Sequence, residues 1–209
     1  MTARPANLAF DPATLLPLRR LIESAELSVA RVLADAGLST DFFTRGEAHL
    51  GDYFRLSERI ALSMGDETIH ISLRPLMLGT SDFIRDRLGA ARTVGEMLTI
   101  LADSYNVIHG ARYNRIRAAR GELIFEIDDA DFPYSLDKDD PFLLFSLEGI
   151  LVYIIVLLQS SSVGERAPPL RSIRTRRRFD PERPGPLGFW RVPIVQGAPR
   201  FALHYAREA

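Results

Sequence analysis

The chain has 209 residues, 46% hydrophobic and 25% charged, with a formal net charge of −1. This mix excludes an intrinsically disordered chain and supplies no global attraction to nucleic acid or to an anionic membrane. With no cysteine, disulfides and cysteine-ligated zinc are ruled out, and the chain fits a reducing, cytoplasmic compartment.

The N-terminal stretch MTARPANLAFDP lacks the apolar run of a signal peptide. From Pro17, the stripe Leu18, Leu21, Ile22, Ala25, Val29, Val32 and Leu33 predicts one helix ending at Gly37. Residues 52–65 repeat the pattern with Tyr53, Leu56, Ile60 and Met64. The span from Val29 to Ile60 therefore has the outline of a helix-turn-helix. Its charge argues otherwise: between Asp35 and Glu58 five acids face only Arg45 and Arg55, which repels phosphate. The expectation is a helix pair inside a larger core.

The run TIHISLR (Thr68 to Arg74) reads as a short strand, and a small helix follows around SDFIRDRLG. TVGEMLTILADSYNVIHG opens with a capping box, Thr93 and Glu96, and closes at Gly110. Its buried face is Val94, Met97, Leu98, Leu101, Tyr105 and Ile108. ARYNRIRAARGELIFEIDD then alternates: Leu123, Phe125 and Ile127 point one way, Glu122, Glu126 and Asp128 the other. A hairpin turning at residues 120–121 is expected, with Arg115 and Arg117 facing Glu126 and Glu122.

FLLFSLEGILVYIIVLL, Phe142 to Leu158, falls short of the roughly 20 residues that span a bilayer. Glu148 and Gly149 interrupt it, and Asp140-Pro141 supplies a helix start. It is expected to be a helix buried on most sides, not an anchor. SSSVGERAPP reads as a loop, and the chain ends in three short strands drawn from LRSIRTRRRF and GFWRVPIVQGAPRFALHYA. Together these elements predict an α+β fold: a helical N-terminal part packed with a mostly antiparallel sheet, plus one long buried helix.

Charge is uneven. Arg166 to Arg200 holds nine arginines against Asp180 and Glu182, and Glu122 to Asp140 holds eight acids against Lys138. The basic strand region Arg171, Arg174, Arg176, Arg177 and Arg178 is a candidate interaction surface for another domain or for phosphate. Alternatively, the basic and acidic stretches pair with each other.

Little in the chain suggests catalysis. There is no glycine-rich phosphate loop and no G-x-S-x-G, and no two of His49, His70, His109 and His204 have metal-ligand spacing on one helix. No enzyme activity, cofactor or metal is expected. The candidate ligand-binding residues are Tyr105, His109 and Tyr113 at the helix–hairpin junction, Glu148 as a carboxylate in an apolar helix, and Trp190, the single tryptophan.

The run LADAGLSTDFF, then YFRLSERIALSMGDETIHISLRPLMLGTSDFIRDRLGAARTVGEMLTILADSYNVIHGARYNRI, resembles the N-terminal effector-binding domain of one branch of AraC-type transcriptional regulators. That branch is the arabinose-binding type distinct from the cupin sensors. The C-terminal PPLRSIRTRRRF and GFWRVPIVQGAPRFALHYA fit the same pattern, so the likeness covers nearly the whole chain. It implies one effector-binding and dimerisation domain over 1–209, mainly helical over 1–66 and mixed over 67–209. It also implies a small-molecule effector, a homodimer, and contact with DNA only through a C-terminal domain not in this chain. The competing expectation is a ligand-independent protein-interaction module acting through the arginine-rich strand region.

Overall fold

The computed structural model describes residues 9–119, 121–161 and 170–207. Strand β1 (Ala9–Phe10) is followed by a short 3₁₀ turn, α1 (Leu16–Ser24) and α2 (Val29–Asp35). Strand β2 (Ala48–His49), antiparallel to β1, leads into α3 (Leu50–Met64), then α4 (Thr80–Leu88) and α5 (Val94–His109). The hairpin β3 (Asn114–Ala119) and β4 (Glu122–Ile127) precedes α6 (Pro141–Ser161). The chain then adds β5 (Leu170–Arg174), a 3₁₀ helix (Gly185–Trp190), β6 (Ile194–Val195) and β7 (Phe201–Ala206). The five-stranded sheet has the order β3-β4-β7-β5-β6 and is antiparallel except for β5 with β6. This is the expected α+β architecture.

The helix expected over 17–37 is two helices. Glu26 takes a left-handed backbone (φ 57), the Leu27 N–H donates to the Ile22 carbonyl (3.0 Å), and the Ser28 hydroxyl caps the next helix. This is a Schellman-type stop with glutamate where glycine is usual, so the sequence carries no glycine to announce it.

The TIHISLR segment is a correction of another kind. Only Ser72 forms a bridge, to Tyr134, and the rest is a coil gathered around Asp66. The Asp66 carboxylate accepts from Thr68 N (2.8 Å), Thr68 Oγ1 (2.7 Å), His70 N (3.0 Å) and Leu76 N (2.9 Å). Those bonds draw the chain into a knot, with Ile69 and His70 in left-handed conformations.

Helix α5 begins as expected at Thr93, whose hydroxyl accepts from Glu96 N (3.1 Å), but the Glu96 carboxylate reaches past the cap to Arg92 N (2.6 Å). The inner sheet face is Phe125, Ile127, Ile173, Phe201, Leu203 and Tyr205, all buried. The hairpin pairs Arg115 with Asp128 (2.9 Å) and Arg117 with Glu126 (3.1 Å). Arg115 stands opposite Glu126 in the register, as expected, whereas Arg117 stands opposite Ile124 and not Glu122; both ion pairs run diagonally across the register. Glu122 instead meets His204 (2.9 Å).

Helix α6 is long and apolar enough by composition to cross a membrane, and 61% of its most apolar window is buried inside the structure. It packs against α1, α4, β7 and the 3₁₀ helix. Asp140 starts it by accepting from Phe142 N (2.7 Å) and Leu143 N (3.2 Å). Within SSSVGERAPP the first two serines end this helix; residues 162–169 lie outside the described residues, as does Arg120 of the hairpin turn. GFW, expected to begin a strand, closes the 3₁₀ helix instead.

Candidate functional site

The Val29–Ile60 segment is not a compact helix-turn-helix. Residues 36–49 separate α2 from α3, too long a connection for the compact turn of that motif. The Asp52 carboxylate is held by Arg45 (2.6 Å) and Arg55 (2.6 Å), so the local charges lock the helix start.

The basic and acidic stretches pair within the chain. Arg176 bridges Asp129 and Asp139, each at 2.9 Å, and Arg200 reaches Glu126 (2.8 Å) and Asp128 (3.2 Å). Arg177 pairs with Glu148, and the Arg178 guanidinium lies over Gly197. Of the arginine set, Arg171, Arg174 and Arg178 are exposed; Arg171 and Arg174 act on the carboxylate of Glu122. The Glu122 pKa falls below its usual value mainly through its hydrogen bond with His204. A recess of about 540 Å³ on the outer sheet face is walled by these charges, including Arg117, Arg174, Arg176 and Arg200.

A different cavity, about 590 Å³, lies between α3, α6, the end of α5 and the Asp66-centred coil. Its size falls within the range of small-molecule sites. Leu18, Phe54, Ile71, Phe145, Ile150 and Ile154 supply much of its apolar wall. Of the candidate ligand residues, Tyr105, His109 and Tyr113 line it. The Tyr105 and His109 rings stack at 6.3 Å, and Phe132 joins His109 (5.0 Å) to Tyr113 (4.8 Å). Burial and the nearby Arg74 charge push the His109 pKa down, which favours a neutral imidazole.

Glu148 and Trp190 sit elsewhere. Glu148 is 3% exposed; it accepts from Thr175 Oγ1 (2.7 Å) and Arg177 Nε (2.8 Å). Trp190 donates to Gln159 (3.2 Å) and packs edge-on against Phe189.

Several cavity residues escaped the sequence reading. Glu67 accepts from Gly79 N (2.6 Å), Ser81 N (2.8 Å) and Ser81 Oγ (2.6 Å), which ties the coil to the start of α4. Tyr105 and Tyr153 converge on Ser81; burial raises both phenols above their usual pKa, and the Glu67 charge adds to the rise. On α6, Ser146, Gly149, Ile150 and Tyr153 all face the cavity. Their three-and-four spacing is one helical face, a signal visible in the sequence but masked by the apolar run. Gly149 is required there: a Cβ at this position would lie 1.9 Å from the Tyr53 hydroxyl. Phe132 and Tyr134 arrive from a loop and have no periodic signal.

No protein family and no curated protein sequence matches the chain. Among solved structures it is similar to the crystal structure of the transcriptional regulator CdpR from Pseudomonas aeruginosa, at 16% identity and a TM-score of 0.43. The likeness covers 96% of this chain and 56% of that one. The chain thus spans little more than half the length of that structure's chain.

Proposed function

We propose that this chain is the small-molecule-sensing part of a cytoplasmic, AraC-type transcriptional regulator. The observation that carries the sensing role is the cavity of about 590 Å³, apolar over most of its wall with a few grouped polar side chains. That is how small-molecule sites are generally built. The regulatory assignment draws on the resemblance of residues 33–43 and 53–116 and of the C-terminal strands to effector-binding domains. An effector held there favours one of two arrangements of a dimer or an attached DNA-binding domain, by binding one more tightly than the other. In this reading the chain carries out no reaction and needs no cofactor.

The protein-interaction alternative has less behind it, since Arg176 and Arg177 are occupied by Asp129, Asp139 and Glu148. Native mass spectrometry of the purified chain, before and after exposure to a metabolite panel, tests the sensor reading. The expected result is a defined non-covalent adduct that Tyr105→Ala weakens. A bare mass under every condition would contradict it.

A further inference from the structure

Three large hydrophobic side chains within one short stretch at the start of α4 are left to solvent: Met77 (81% exposed), Leu78 (44%) and Phe83 (58%). The Thr80 N–H and hydroxyl both donate to the Met77 carbonyl, at 3.2 and 2.7 Å, which holds Met77 against the helix start. Thr80, Phe83 and Arg87 follow at three- and four-residue spacing and so share one face, while Ile84 and Leu88 are buried. The Arg87 guanidinium lies 5.8 Å over the Phe83 ring. Single exposed hydrophobics are ordinary, but a group of them rimmed by charge marks a contact surface.

The charges of α4 point to what covers it. Its first turn carries Asp82 and its last turn Arg85 and Arg87; with Asp86, its acids and arginines balance. A strongly acidic or strongly basic partner would match only one end of such a helix. A second copy matches both. When two copies of α4 pack antiparallel, the Asp82 end of each meets the Arg87 end of the other, and the helix dipoles oppose. Asp82 already pairs with Arg85 within the chain (2.9 Å), but both side chains are exposed, and such a pair is weak enough to give way.

We propose that the exposed face of α4, together with Met77 and Leu78, is the surface on which two copies of this chain associate, antiparallel helix against helix. Its regulatory consequence rests on the sensor reading above. Leu78, Ser81, Asp82 and Arg85 of the same stretch line the cavity, and Glu67 ties the neighbouring coil to the start of α4. A ligand that shifts Ser81 therefore shifts Phe83, two positions along the same helix, and the strength of pairing changes with occupancy.

The test is sedimentation velocity of the full chain across a wide concentration range, where a monomer–dimer equilibrium is expected. Phe83→Glu should weaken the dimer roughly twenty-fold or more, the scale of a central aromatic anchor. Its helical content by circular dichroism should match wild type, because the ring is already exposed. Val107→Glu, at an exposed apolar site on α5, should leave the dimer intact. Asp82→Arg and Arg87→Asp should each weaken it, and the double variant should recover, since the swapped charges meet across the antiparallel pair. A monomer at every concentration would overturn the interface, and so would a dimer indifferent to Phe83→Glu or equally weakened by Val107→Glu. Absence of recovery in the double variant would overturn the antiparallel pairing of α4. A monomer that instead binds a different protein through α4 would overturn the second copy as occupant. None of these results touches the sensor reading, which stands or falls on the ligand adduct.

Discussion

Arg177 Nε donates to Glu148 Oε2 at 2.8 Å, giving a buried partner to the one charged side chain in the apolar body of α6. A helix that reads as nearly all hydrocarbon is thereby pinned to the segment that follows β5, and Thr175 supplies the second hydrogen bond. The sequence poses the puzzle of a carboxylate without a partner; the answer lies 29 positions downstream.

Removing the guanidinium should cost more than removing both partners. Arg177→Ala leaves a buried carboxylate unpaired and should destabilise the chain by about 3–5 kcal/mol. The double variant Glu148→Leu, Arg177→Met should lose much less, measured by urea denaturation of both.

The same pair sets a pH dependence. Burial raises the Glu148 pKa above the usual carboxylate range, opposed by Arg177 and Thr175. A folded-state pKa above the unfolded value means the contribution is full below the unfolded pKa and is lost as pH rises through the folded one. Stability curves of wild type and Glu148→Gln should therefore converge at low pH and separate above it. Parallel curves across that range would count against this role.

Asp66 has the opposite sign. Burial alone would raise its pKa, but the bonds from Thr68, His70 and Leu76 outweigh it and hold the carboxyl below its usual range. Its contribution is present above the unfolded pKa and lost as pH falls through the folded one. Asp66→Asn should destabilise by about 1–3 kcal/mol near neutral pH, with amide exchange accelerated first in residues 67–79. That coil forms one cavity wall, so ligand affinity should fall with it.

Gly149→Ala probes the contact of α6 with α3. A methyl group 1.9 Å from the Tyr53 hydroxyl forces the phenol aside, with an expected loss of about 1–3 kcal/mol. Tyr53→Phe should be milder and, in the double variant, should recover most of that loss, since the next contact, the ring carbon Cζ, lies at 3.2 Å. No recovery would show that the ring itself crowds the site.

Charge reversal at Arg176 is expected to disturb the fold and not merely a surface. Arg176→Glu places a carboxylate against Asp129 and Asp139 and should lower Tm by several degrees, whereas Arg171→Glu, on an exposed side chain, should barely change it. Equal, small effects would return Arg176 to the role of a free surface charge.

What was legible in the sequence followed from periodicity and caps. Helix α5, the alternating hairpin and the Asp140 start of α6 each carry a local signature, and the structure repeats them. The missed features have non-local or atypical causes. The break at Glu26 lacks its usual glycine, and the 66–76 coil is shaped by one carboxylate acting ten residues along the chain. Tyr105, His109 and Tyr113 could be named because they are neighbours in sequence. Ser146, Gly149 and Tyr153 share one helical face, but that spacing was masked by the surrounding apolar run until α3 and α4 were packed against α6.

The most direct test of the sensing cavity is to fill it. Thermal denaturation of wild type and Ile150→Trp would be compared across the metabolite panel. If the cavity is the ligand site, some compound raises the wild-type Tm and has no effect on the tryptophan variant, whose own Tm stays near that of wild type. Stabilisation that is equal in both proteins would contradict it, as would a panel that stabilises neither.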